Sequence, residues 1–234
     1  MAHQLIRAVW PELPAITQWM PYLEAAYDKN WHTNSGPASL QFEQQLANFF
    51  AFEAEAVTAV SNATSGLSAC LIAHRISGPV ICPAFTFQAT ACAILGAGAH
   101  PVVVDVDAVS GVVSANMLER CLTETGAKAA MVVAPYGIET DFSEHADVCL
   151  RRGSRLIIDN AAGLAPGRTE RSMGALADHI DEVFSLHATK VFGVGEGGGS
   201  FLCAASSTCT TVCDKFWAEH THGNRGRTPA FLGH

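Results

Sequence analysis

Seven short apolar, mostly β-branched runs punctuate this chain, and helical stretches separate most of them. That alternation restricts the fold more than any other feature. The runs cover residues 56–60, 80–82, 102–104, 130–133, 156–158, 183–186 and 199–203. Helix-like stretches at 65–76, 86–95, 115–125 and 144–152 lie between them. Strand alternating with helix predicts an α/β domain with a largely parallel sheet. Several runs are apolar at every position, which suits strands covered on both faces. Two further helical segments, 13–28 and 39–50, precede this core, and another at 206–220 follows it. The last stretch, 221–234, is rich in glycine and carries Pro229, so it reads as a linker. The expected organisation is an N-terminal helical segment at 1–30, a large domain at 31–220 and a tail at 221–234.

Composition narrows the class of partner. Of 234 residues, 49% are hydrophobic and 15% charged, a balance that buries a core and excludes a disordered chain. The net charge of −8 comes with no basic stripe, so neither nucleic acid nor an anionic membrane is expected as a partner. An anionic small molecule stays open, because local donors hold a phosphate even in an acidic protein. The eight cysteines form no CxxC, and most sit in apolar runs, as reduced core thiols do. Cys209 and Cys213 with His220 and His222 fit no familiar zinc spacing, so no metal is expected. Residues 76–104 carry no Asp, Glu, Lys or Arg, but Pro79, Pro83 and Pro101 divide them. They read as strand, helix and strand rather than a membrane span. With no leader visible at the N-terminus, the expected location is the cytoplasm.

In open α/β sheets, ligands bind beyond the carboxyl ends of the strands. Ser61-Asn62-Ala63-Thr64-Ser65-Gly66 follows the first run. Small polar residues opening a helix serve equally as an ordinary cap or as a phosphate cradle of free N–H groups. Phe87, after the second run, reads as a core aromatic or as a stacking partner for a planar ring. Asp159 ends the run 156–158, where a charge is costly without a partner. An N-cap, a metal ligand or a partner for a cationic ring nitrogen all answer that need. Lys190 follows the run 183–186 among small and apolar residues, unlike Lys29, Lys128 and Lys215 in polar surroundings. It reads as an amine nucleophile or as a snorkelling surface lysine. Residues 193–198 match GxGxxG but precede a strand instead of opening a helix, so they are not a dinucleotide site. Their glycines suit a tight backbone turn near a ligand.

In order, these pieces resemble the pyridoxal-phosphate sugar aminotransferases of the DegT/DnrJ/EryC1/StrS family. The matching stretches are Ser35-Gly36-Pro37 with Phe42-Glu43, Val60 to Leu67, Pro83 to Thr90 and Gly96-Ala97 with Pro101 to Asp107. Next come Pro135-Tyr136-Gly137, Ile158-Asp159 with Ala161, and Phe184 to Lys190 running into Gly195-Glu196-Gly197-Gly198, the most specific part. The resemblance covers residues 31 to about 205. It implies the aspartate-aminotransferase fold (fold type I): a mixed, mostly parallel seven-stranded sheet between helices. It also implies a homodimer with the active site at its interface.

By the same resemblance, Lys190 forms the internal aldimine with pyridoxal 5'-phosphate, and Asp159 keeps the ring nitrogen protonated. Phe87 stacks on the ring, while Ala63, Thr64 and Ser185 bind the phosphate. The implied reaction moves an amino group from glutamate or glutamine to a keto sugar, commonly nucleotide-linked. Three positions depart from the family pattern. Ala162 stands where Gln or His is usual, the phosphate loop reads Ala63-Thr64 instead of Gly-Thr, and Ala134-Pro135 stand where a His often precedes Tyr-Gly. Family members are also longer, so a small C-terminal domain is expected to be missing. The alternative expectation is a truncated, non-catalytic homologue that binds the cofactor and serves as a dimer partner.

Overall fold

The computed structural model describes residues 11, 13–33, 35–49, 57–164 and 178–202. Two helices, α1 (Ile16–Asp28) and α2 (Pro37–Phe49), precede the sheet. Then follow β1 (Val57–Val60), α3 (Ala63–Ala73), β2 (Pro79–Pro83), α4 (Gln88–Gly96), β3 (His100–Val104), α5 (Ala115–Thr125) and β4 (Ala129–Val133). The remaining elements are α6 (Ser143–Arg152), β5 (Arg155–Asp159), β6 (Ile180–Ser185) and β7 (Gly198–Leu202). The expected helix at 206–220, the tail, and Cys203, Cys209, Cys213, His220 and His222 lie outside the described residues.

The fold is the expected one: seven strands in one mixed sheet, ordered β1-β7-β6-β5-β4-β2-β3. Strands β2 to β6 are mutually parallel along that order, and β7 runs antiparallel to both of its neighbours. Because β7 reverses direction between β1 and β6, these two point the same way. Gly198 pairs with Val60 on one side and with Ser185 on the other. The carboxyl ends of β1, β2, β4, β5 and β6 therefore gather along one edge of the sheet.

Alternation along each strand splits the core in two. Leu156 and Ile158 pack with Ile81, Leu118 and Val148 on the α5–α6 face. Ile157 packs with Val80, Met131, Leu67, Leu71 and Ile94 on the α3–α4 face. Both faces are covered, as the unbroken apolar runs predict. A third cluster joins Leu46 of α2 to Val57, Phe184 and Leu186. Glu43 of α2 also accepts the Ala59 N–H at 2.8 Å, which covers one donor of the edge strand β1. The segment 76–104 folds as β2, α4 and β3, and among the described residues no helix is long and apolar enough to cross a membrane.

Most boundaries shift by one to three residues from the sequence reading, and three of the shifts have a clear local reason. Helix α3 opens at Ala63 rather than residue 65, because Asn62 is the cap and accepts the Ser65 N–H at 2.9 Å. Helix α4 starts at Gln88, since Phe87 is still extended (φ −71°, ψ 142°). Strand β6 opens at Ile180, three residues early, and runs through Asp181 and Glu182. Charged residues hide a strand from a hydrophobic pattern, but here both are buried and partnered. Arg155 donates to Asp181 at 3.0 Å, and Asn160 donates to Glu182 at 2.6 Å.

Candidate active site

The carboxyl edge of the sheet opens into a cavity of about 600 Å³. Ala63, Thr64, Phe87, Asp159, Ser185 and Lys190 all line it. Six positions spread over 128 residues of sequence thus meet in one place, and each arrives by a nameable route.

Asp159 is the last residue of β5 and is only 5% exposed. Its partners are neutral: the Thr90 hydroxyl donates at 2.6 Å and the Ala161 N–H at 3.3 Å. Burial raises the pKa of the carboxyl above the ordinary Asp range; the two hydrogen bonds and the Lys190 charge offset that only in part. Such a group is held short of a cation. The Cys82 thiol, on β2, is pushed up to about 11 by burial and by the charge of Asp159, so it stays protonated at neutral pH.

Lys190 lies on the loop after β6. That loop folds back through Ala188 N–H to Gly195 O at 2.7 Å and Val194 N–H to Leu186 O at 2.9 Å. The side chain is half-buried, and among the described residues its ammonium has no ion pair. Thr189 N–H donates to His187 Nδ1 at 3.2 Å. The His187 Nε2 lies 3.8 Å from Glu196 across the loop. Both His187 and Glu196 face the cavity.

The N-terminus of α3 forms the opposite wall. Asn62 takes the Ser65 N–H, and the Gly66 N–H bonds to Asn62 O at 3.1 Å. The N–H groups of Ala63 and Thr64 have no such partner among the described residues, so the positive end of the helix is available to an anion. The Asn62 cap therefore does not use up these two N–H groups, and the cap reading does not exclude the cradle reading. Gly198 makes the approach possible: a Cβ there would lie 2.8 Å from Asn62 C and 2.9 Å from Ala63 N. Ser185, 6% exposed, ends β6 beside this helix start.

Phe87 is not a core aromatic. It is 74% exposed and stands at the cavity mouth as the residue before α4. Phe85 and Tyr136 stand nearby with ring centroids 6.2 Å apart. Tyr136 is 82% exposed and holds a left-handed backbone (φ 57°). Gly137 follows it at φ 75°, pressed against the Ala162 backbone. Ala162 lines the cavity but presents only a methyl group to it.

Sequence reasoning gave no role to Thr86, Thr90, His187 or Glu196. A signal existed for the first two. Hydroxyls four residues apart, at the start of a helix that follows a strand's carboxyl end, project from one side. His187 and Glu196 give no such signal, since only the folded loop brings them together.

The DegT/DnrJ/EryC1/StrS aminotransferase family matches residues 16–212. A dTDP-4-amino-4,6-dideoxy-D-glucose transaminase of Shigella dysenteriae is 33% identical over 190 residues, 80% of this chain and 50% of that protein. An L-glutamine:scyllo-inosose aminotransferase of Streptomyces griseus is 33% identical over 161 residues, 67% of this chain and 37% of that protein. The chain spans half or less of the length of these relatives. Among solved structures, DesI in the presence of its TDP-sugar product superposes with a TM-score of 0.74 at 29% identity. That match covers 94% of this chain and 54% of the other.

Proposed function

The chain belongs to the DegT/DnrJ/EryC1/StrS aminotransferase family, and on that premise we propose that it binds pyridoxal 5'-phosphate and transfers an amino group from glutamate or glutamine to a nucleotide-linked keto sugar. The observation that carries this reading is the meeting of Asp159, Lys190 and the α3 N-terminus in one cavity. Each answers a different part of the cofactor. The buried Asp159 has only neutral partners and would hold a protonated ring nitrogen. The N–H groups of Ala63 and Thr64, with the Ser185 hydroxyl, would hold the phosphate. Phe87 would cover a ring face, and Lys190 Nζ would hold the aldehyde carbon covalently. The donor set therefore fits the group.

When bound, pyridoxal phosphate supplies an electron sink for the carbon that loses its proton. The chain's residues supply the rest. Lys190 Nζ takes the proton from the donor's Cα as general base. Asp159 keeps positive charge on the ring nitrogen, which a neutral side chain would not. The helix end anchors the phosphate, so Lys190 meets the reacting carbon from a fixed side. We place this chemistry in the cytoplasm and in a homodimer. The names of the relatives support a sugar substrate, and the glutamine in one of them supports that donor.

Ala162 favours a second reading, in which the chain binds the cofactor loosely and pairs with a catalytic partner, because no polar side chain reaches the cavity from that position. One experiment separates the two. Purified protein is incubated with pyridoxal phosphate, reduced with borohydride, digested and weighed. The adduct is expected on Lys190 and absent in Lys190→Ala. Transfer of amine from glutamate or glutamine to a keto-sugar nucleotide then marks the enzyme, and an adduct without transfer marks the binding-only protein. A chain that takes up no cofactor at all sinks both.

A further inference from the structure

The chemistry assigned to Asp159 requires it to be content in two states. Facing a cation it must be a carboxylate, and in an empty cavity burial favours the neutral acid. Two threonines supply what a change of state needs. Thr90 is fully buried, and its Oγ1 lies 2.6 Å from Asp159 Oδ2. The Thr86 Oγ1 lies 2.6 Å from Thr90 Oγ1, and 3.2 Å from the carbonyl oxygen of Phe87. The chain Asp159–Thr90–Thr86–Phe87 C=O thus begins on an acid and ends on an obligate acceptor. Each hydroxyl between them carries one hydrogen and accepts from either side.

We propose that Thr90 and Thr86 form a reversible hydroxyl relay that satisfies Asp159 in both protonation states, and that Thr86 sets the balance between those states. With Asp159 ionised, Thr86 donates to Thr90 and Thr90 donates to the carboxylate. With Asp159 neutral, both threonine hydrogens turn: the acid donates its own hydrogen to Thr90, Thr90 donates to Thr86, and Thr86 to the Phe87 carbonyl. No proton crosses the relay in either change, because only hydroxyl orientations differ. The proton lost on ionisation leaves through the cavity. Both states leave every hydrogen paired, so neither carries the cost of a buried unsatisfied donor.

Thr90 and Thr86 are positioning residues, acting through Asp159 and through the Phe87 backbone. Phe87 is also the aromatic at the cavity mouth, so the relay ends on the residue we assign to the ring face. Other groups also bias the acid. Cys82 approaches from β2 and Lys190 from the loop after β6, both within electrostatic reach of the carboxylate. His187, Glu196 and Tyr136 line the same cavity. All of these stay unchanged in the variants below.

The inference rests on the functional reading, but its test uses the cofactor-free protein. Infrared difference titration follows the carboxylic C=O band of Asp159, assigned by its loss in Asp159→Asn. The two valine variants are expected to move the midpoint in opposite directions. Thr90→Val removes the donor to the carboxylate and raises the midpoint by about one pH unit. Thr86→Val leaves that donor but strands the Thr90 hydrogen when the acid is neutral, so the midpoint falls. Thr90→Ser restores the wild-type value, which keeps the test informative if Thr90→Val folds poorly. A Thr86→Val midpoint that is unchanged, or raised like that of Thr90→Val, overturns the relay. Cofactor uptake by the wild-type chain is scored separately from its absorbance, so a failed relay and a failed cofactor assignment give different results.

Discussion

Asp159 carries a cost in the cofactor-free protein whose sign is fixed. Its folded-state pKa is raised by burial, so the stability tied to this group is fully present below the ordinary Asp range. That stability is lost as pH rises through the folded value. The thermal midpoint of cofactor-free protein should therefore decline from acidic towards neutral pH through this group. Asp159→Asn should flatten the decline and raise the neutral-pH midpoint by about 2–4 °C for each kcal/mol recovered. The same variant should fail to retain pyridoxal phosphate; equal slopes for both proteins would remove the buried-charge argument. Ala162 offers the converse case. Ala162→Gln returns an amide to the cavity wall, and one new hydrogen bond worth about 1 kcal/mol should slow cofactor loss roughly fivefold. Dialysis followed by absorbance checks it. Asp159 and Lys190 stood out in the sequence because a carboxylate ending an apolar run, and a lysine among small residues, are locally anomalous. Thr90 offered only its four-residue spacing from Thr86, and that spacing does not reveal that its other partner is Asp159, 69 residues away.

At the level of elements, the two ends of the sheet do different work. At the amino end, Arg155 of β5 donates to Asp181 of β6 at 3.0 Å, and Asp181 is fully buried, with His74 Nε2 3.2 Å from it. Removing the arginine leaves a buried carboxylate with only the His74 ring beside it. Arg155→Met should cost about 3–5 kcal/mol in urea unfolding. Arg155→Met with Asp181→Leu should recover most of it, because the stranded charge is then gone. Cofactor affinity of the double variant should match the wild type, since the pair lies away from the cavity. At the carboxyl end, Gly198 lets the start of α3 lie against β7. Gly198→Ala should push the two apart, destabilise by about 1–3 kcal/mol and weaken phosphate-dependent binding of the cofactor more than that of pyridoxal lacking the phosphate. Equal weakening of both compounds would argue against the helix end as the phosphate anchor. The existence and type of these elements were legible from apolar runs and helical spacing. The early start of β6 was not, because a pattern cannot know that Asp181 and Glu182 will meet Arg155 and Asn160.

For the whole molecule, several large apolar side chains remain outside the core. Trp19, Met20, Tyr22 and Leu23 of α1 are about two-fifths exposed, and Phe87 and Tyr136 are more so at the cavity mouth. We propose a homodimer, and sedimentation equilibrium should then find two copies at micromolar concentration; a monomer at every concentration would sink that part of the proposal. The amino-acid sequence by itself determined the layers of this protein. Period and polarity along a segment decide whether it can be a strand covered on both faces or a helix covered on one, and that information is local. It also determined which residues were chemically out of place. Strand order, the reversal of β7 between β1 and β6, and the convergence of Ala63, Phe87, Asp159 and Lys190 on one cavity belong to the tertiary structure alone. Those depend on which surfaces exclude water together, and burial of that kind is a property of pairs distant in the chain rather than of any one segment.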